Sequence, residues 1–201
     1  MRFLLLTLAW TALSQLASAA PVPKEVLKKF PDYYPLELGN EWLYQIGGSE
    51  ITVVVTAADK KDGVQTGTLE TKAQGKTIAS EKMRIDATGV YRTHINAQEI
   101  TPPVLILKFG IRDETEWATK SKVGDATVDF VFKLEGLEEV KTPAGDYKAV
   151  RVSGAGDLAG TDSSTSYLFA DGVGVVKLSY VAGGREAVME LKKFTPGPVK
   201  K

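Results

Sequence analysis

Few side chains in this sequence of 201 residues could carry out chemistry, and their types narrow the options at once. There is one histidine, His94, and no cysteine. A thiol nucleophile is therefore excluded, and a Ser-His-Asp relay would have to run through His94. His94 stands in "VYRTHI", a β-type run, and the chain has no serine-elbow pattern, so it reads as a strand histidine on a half-exposed face. A zinc centre needs several His or Cys ligands, so no metal and no cofactor are expected. Carboxylates remain: Asp113, Glu114 and Glu116 cluster, and Glu138 and Glu139 are adjacent. On a strand, Glu114 and Glu116 share a face while Glu138 and Glu139 do not. A glycosidase-type pair must converge across a cleft, which adjacency does not supply. These carboxylates read as solvated-face or turn residues, and no catalytic residue is assigned.

Two glycine-containing stretches resemble ligand loops. "YLFADGVGVVKL", Tyr167 to Leu178, has two spaced glycines and a lysine. A dinucleotide loop needs G-x-G-x-x-G opening a helix, and here Lys177 takes the place of the last glycine before a β-branched run. Asp171-Gly172 reads instead as a hairpin turn, and Gly174 as a bulge or a close approach of a second strand. "DLAGTDSST", at 157–165, lacks the bidentate glutamate of a calcium loop and reads as a mobile loop.

The elements that must position these residues are almost all β. Runs rich in Val, Ile, Thr and aromatics alternate with turn residues. The pattern predicts strands near 41–47, 50–58, 64–73, 76–86, 89–95, 104–109, 114–121, 125–134, 136–142, 147–155, 164–170, 173–182 and 185–194. Turns fall at Gly47-Gly48, Asp62-Gly63, Gly75-Lys76, Thr88-Gly89, Gly136, Ala144-Gly145, Asp171-Gly172 and Gly183-Gly184. "VDFVFKL" alternates cleanly, with Val128, Phe130, Phe132 and Leu134 on one face and Asp129, Val131 and Lys133 on the other. The fold class is mainly β: a long curved antiparallel meander that closes or curls into a half-barrel, a barrel or a sandwich. One short helical turn is expected at Lys24 to Phe30.

The first twenty residues, "MRFLLLTLAWTALSQLASAA", have a basic start, an apolar stretch and a small-residue exit, the pattern of a cleaved export signal. The predicted organisation is therefore a signal at 1–19, an extension at 20–38, one β domain at 39–194 and a tail at 195–201. The protein is expected to be exported, either periplasmic or secreted. No later segment is apolar enough for a helical membrane span. The 25 basic and 25 acidic residues balance, which gives no reason to expect nucleic acid as a partner.

Two halves of the sequence echo each other. "GNEWLYQ" at 39–45 parallels "ETEWATK" at 114–120, "KDGVQTGTLE" parallels "PAGDYKAVRV", and "MRIDATGVYRTHI" parallels "YLFADGVGVVKLSY". If the halves are related, they must show the same strand order.

"PPVLILKFG" does not alternate. Val104, Leu105, Ile106 and Leu107 are followed by Lys108 and Phe109. Such a run is a core strand covered on both faces, or a lip over an apolar cavity. Pro102 and Pro103 cannot donate to a ladder, so it should start at an edge. With Trp42, Tyr44, Trp117, Phe130, Phe132, Tyr167 and Phe169, the residues Val104, Ile106 and Phe109 form the candidate lining of an apolar interior.

"YYPLELGNEWLY", "PPVLILKFGIRDETEW", "EEVKTPAGDYKAVRV" and "YLFADGVGVVKL" occur in this order. Together they resemble a group of exported bacterial β-rich proteins of unknown function with W-x-Y, T-P-A-G-x-[FY] and D-G-V-G motifs. The resemblance spans residues 33–194. It implies a curved antiparallel sheet similar to the periplasmic lipoprotein-carrier fold, in which a half-barrel wraps a helix-covered apolar cavity. It implies no catalytic residues. Three functions stay open: a non-enzymatic module holding a lipid or other apolar ligand, a structural or protein-interaction module of the envelope, and a carboxylate-dependent hydrolase.

Overall fold

A computed structural model describes residues 32–198. The export signal, the helical turn expected at Lys24 to Phe30 and residues 199–201 lie outside the described residues. Twelve strands follow one another: β1 (Glu41–Ile46), β2 (Ser49–Lys61), β3 (Val64–Ala73), β4 (Lys76–Asp86), β5 (Gly89–Ile95), β6 (Gln98–Lys108), β7 (Glu116–Val123), β8 (Ala126–Thr142), β9 (Gly145–Leu158), β10 (Thr161–Ala170), β11 (Gly174–Ala182) and β12 (Arg185–Thr195). Each pairs antiparallel with its neighbour in sequence, and β1 pairs with β12 to close a barrel. The fold is thus the mainly β meander that the alternation predicts. Closure leaves no terminal strand edge to solvent. The helix-covered half-barrel implied by the carrier resemblance does not form, because the sheet seals onto itself and no helix occurs among the described residues.

Phase decides what faces inward. Val128, Phe130, Phe132 and Leu134 are buried, whereas Val131 between them is 48% exposed. Two local expectations need correction. Gly136 is not a turn between two strands but a bulge inside one continuous β8, where the register with β9 shifts between Leu134 and Gly136. Its φ of 111° suits glycine, and Asp113 packs so close that an added Cβ would lie 3.0 Å from its carboxylate. "DLAGTDSST" is not a loop either. It is a tight hairpin in which Asp157 pairs with Asp162 around Ala159 and Gly160, because its Ser and Thr residues serve as strand positions between β9 and β11.

The two sequence halves fall on β1–β6 and β7–β12, with the same meander order in each. Trp42 and Trp117 both lie on the opening strand of their half. The seam between the halves is the thinnest in the barrel. β6 and β7 pair only at Ile100 with Val123 and Thr101 with Lys122. Pairing stops where Pro102 and Pro103 follow, since proline has no N–H to give.

The barrel has two unlike ends. One rim carries six short turns: those near Gly47-Gly48, Gln74-Gly75, Asn96-Ala97, Gly124-Asp125, Ala159-Gly160 and Gly183-Gly184. At the other end lie the 109–115 loop, the β8–β9 hairpin tip, the 171–173 turn and residues 32–40 leading into β1. The hairpin tip reaches across to β12, where the Ala144 N–H donates to the Leu191 carbonyl at 2.9 Å.

Candidate functional site

A twelve-stranded barrel is wider than the eight-stranded kind whose interior side chains just fill. Gly154 faces the Phe132 ring so closely that a Cβ would lie 2.6 Å from it. What remains is a pair of adjoining cavities. The larger, about 290 Å³, runs to the short-turn rim between Ile95, Ile100, Val128, Leu158 and Tyr180, with Val104, Ile106, Phe130 and Phe132 as its walls. The smaller, about 150 Å³, adjoins it on the β1–β4 side, between Trp42, Tyr44, Leu69 and Glu81. Arg92, Tyr167 and Leu178 line both and form the partition.

The far end is plugged by residues 32–40. Leu36 is fully buried and packs against Gly67, whose added Cβ would sit 3.1 Å from it. Tyr34 reaches into the lumen, with its ring 6.5 Å from Trp42 and 6.4 Å from Phe169. The "DGVG" turn holds this plug. The Asp32 N–H donates to the Asp171 carboxylate at 3.1 Å, and the Gly172 N–H donates to the Asp32 carbonyl at 2.8 Å. Trp42 donates its indole N–H to the Val173 carbonyl at 2.6 Å. Gly172 has a φ of 75°, as its turn position requires, and an added Cβ at Gly174 would lie 3.5 Å from Pro35 and from Trp42, in contact with both. The most motif-like stretch of the sequence is therefore a turn and a clamp. Its Lys177 pairs with Glu190 at 2.7 Å.

Among the described residues, Arg92 and Glu81 form an ion pair in the lumen. Arg92 Nε donates to Glu81 Oε2 at 2.9 Å across the β4–β5 ladder. Both side chains keep some accessible surface, 22% and 31%, which opens onto the cavities that they line. Burial alone would lower the Arg92 pKa. The Glu81 carboxylate and the Tyr167 and Tyr34 hydroxyls outweigh it and hold the guanidinium above its ordinary value. Burial raises the pKa of Tyr34 above its ordinary value, and the Glu81 charge adds to the rise. Tyr44, whose hydroxyl donates to the Val175 carbonyl at 2.7 Å, is raised chiefly by burial.

Of the ten candidate lining residues, Val104, Ile106, Phe130, Phe132 and Tyr167 border the larger cavity, and Trp42, Tyr44 and Tyr167 border the smaller. Phe109, Trp117 and Phe169 are buried but border neither. Trp117 instead stacks on Phe132 at 5.8 Å, and Phe169 stacks on Tyr167 at 5.5 Å, so both back the wall. The 104–109 run is a wall strand and not a lip. Arg92, Glu81 and Tyr34 were not among the candidates, although the alternation Val90, Arg92 puts the arginine in phase with a core residue.

The carboxylates singled out by sequence lie on the outside. Glu114 pairs with Lys133 at 2.5 Å, and Glu138 with Arg151 at 2.5 Å. Asp113 packs on Gly136. His94 is half-buried, its Nδ1 3.1 Å from the Thr93 hydroxyl.

Two solved structures share this architecture. One is an exported protein of Bacteroides fragilis described as having a YmcC-like fold, at TM-score 0.59 and 11% identity, covering 83% of this chain and 100% of that one. The other is a protein of Parabacteroides distasonis provisionally described as a lipoprotein, at TM-score 0.54 and 12% identity, covering 82% and 99%. At such identities the likeness concerns the fold. No family model matches the chain, and no curated protein matches it.

Proposed function

We propose that the protein is an exported, non-enzymatic binding module of the cell envelope whose barrel lumen holds an apolar or amphipathic ligand. The observation that carries this reading is the cavity of about 290 Å³. It is walled by aliphatic and aromatic side chains and runs to one rim of a barrel whose other end is plugged. Its volume stands at the lower edge of the range of about 300–1,000 Å³ typical of small-molecule sites. Apolar walls with a few convergent polar groups, here Arg92, Tyr167 and Thr165, are the usual composition of such sites. The export-signal pattern of residues 1–19 supports an exported location. So do the descriptions of the two structural neighbours as an exported protein and a lipoprotein.

Native mass spectrometry of the protein purified from its own host tests the reading. A co-purified apolar species, lost when Leu158→Trp fills the rim of the cavity, is the expected result. An empty lumen that also takes up no added single-chain lipid overturns it. A reading as an envelope interaction module would draw on the short β6–β7 seam as an edge for strand addition. The other ladders of the barrel each run over six or more residue pairs, which favours the lumen.

A further inference from the structure

Building on the lumen as a ligand site, we infer that its ligand is a single-chain amphiphile with an acidic head, bound head-inward against Arg92 and with its tail toward the short-turn rim. Among the described residues, Arg92 is the one charged side chain on the wall of the larger cavity. Glu81 lines only the smaller cavity, on the other side of the partition. A ligand entering from the rim therefore meets apolar walls and then the Arg92 guanidinium, whose partner carboxylate borders the adjoining cavity. The Glu81 carboxylate takes the Nε side of the guanidinium at 2.9 Å. Of the five donors on that planar fork, the terminal ones belong to the end that can grip a carboxylate through two parallel N–H bonds. Tyr167, whose hydroxyl already engages the guanidinium, and Thr165 line the same cavity and add hydroxyl groups to it. In an apolar, water-poor site such contacts are stronger than at the surface. An ammonium head would face Arg92 across the same low-dielectric space and be repelled.

The pocket also limits the tail. Its volume of about 290 Å³ suits one chain. Arg92 stands at the partition between the two cavities, so a head held there leaves the tail along the apolar walls of the larger one. The ion pair with Glu81 has a second consequence. It keeps the arginine charged and oriented when no ligand is present, so the site is arranged before binding.

Calorimetric titration of the whole protein with dodecanoate, dodecanol and dodecyltrimethylammonium tests this. The expected result is dodecanoate binding about tenfold tighter than dodecanol or more, as a charge-assisted hydrogen bond would give, with the ammonium weakest. In the double variant Glu81→Gln/Arg92→Gln the preference for dodecanoate should vanish while dodecanol still binds. Equal affinities of dodecanoate and dodecanol in the wild type would overturn the acidic-head assignment and leave the lumen as a ligand site. Binding of none of the three would overturn both. A preference that survives in the double variant would move the head away from Arg92. If that variant does not fold, Arg92→Lys serves instead. Loss of the two-pronged geometry should then weaken dodecanoate several-fold and spare dodecanol, and unchanged binding of both would overturn the assignment.

Discussion

The indole N–H of Trp117 on β7 donates to the backbone carbonyl of Leu105 on β6 at 2.9 Å. This side chain supplies a bridge where the ladder between the two strands has run out. Trp117→Phe keeps much of the stacking on Phe132 but removes the bridge. It should cost about 1–2 kcal/mol in urea unfolding, and amide exchange should rise selectively in β6 and β7. Uniform acceleration over the whole barrel would argue against a local seam.

Arg92 and Glu81 should be worth little as a pair and much as partners. Arg92→Met leaves the Glu81 carboxylate facing an apolar lumen and should cost about 3 kcal/mol. Adding Glu81→Leu should recover most of that loss, since a neutral apolar pair of similar size removes the stranded charge. Equilibrium urea denaturation of the two single variants and the double variant gives the coupling directly.

Tyr34 and Tyr44 make the fold sensitive to alkali. Both have pKa values raised above their ordinary 10.0, mainly by burial. Their neutral forms fit the native state, whereas the unfolded chain loses those protons near pH 10. The stabilisation is therefore complete below about pH 10 and declines as pH climbs beyond it. Tm measured from pH 8 to 12 should fall steeply above that point. The Tyr34→Phe variant should show a shallower fall.

Gly156 and Gly48 separate crowding from chain freedom. An added Cβ at Gly156 would meet the Asp129 carbonyl oxygen at 2.0 Å, whereas nothing lies within 4 Å at Gly48. Gly156→Ala should therefore destabilise by about 1–3 kcal/mol or more through forced backbone movement. Gly48→Ala should be near neutral, or stabilising by up to about 1 kcal/mol. Thermal unfolding of the two proteins compares them.

Much of the barrel is visible in the sequence because both signals it uses are local. Alternation in "VDFVFKL" gives the inward face of β8, and Asp171-Gly172 gives a hairpin. Gly136 misleads because a glycine with positive φ serves a bulge as well as a turn, and only the partner strand tells which. The proline pair at 102–103 reads as a strand start, yet β6 begins at Gln98, because an irregular stretch of the ladder accommodates it. The lumen ion pair is less legible still. Arg92 reaches Glu81 diagonally, eleven residues back, through the register shift at Lys82/Met83 in the β4–β5 ladder. No count along the chain reveals that meeting. Which aromatics border open space and which merely back the wall depends on the total volume of the barrel, to which every strand contributes.

The Gly197 N–H donates to the Asn40 side-chain oxygen at 2.7 Å, and Pro198 lies against Gly39. The described chain therefore enters and leaves at the plugged pole. A tether joined at residue 32 or residue 198 would attach at that pole and hold the rim of the cavity outward from whatever surface carries it. A support or sensor chip coupled in this way would leave the ligand entrance unobstructed.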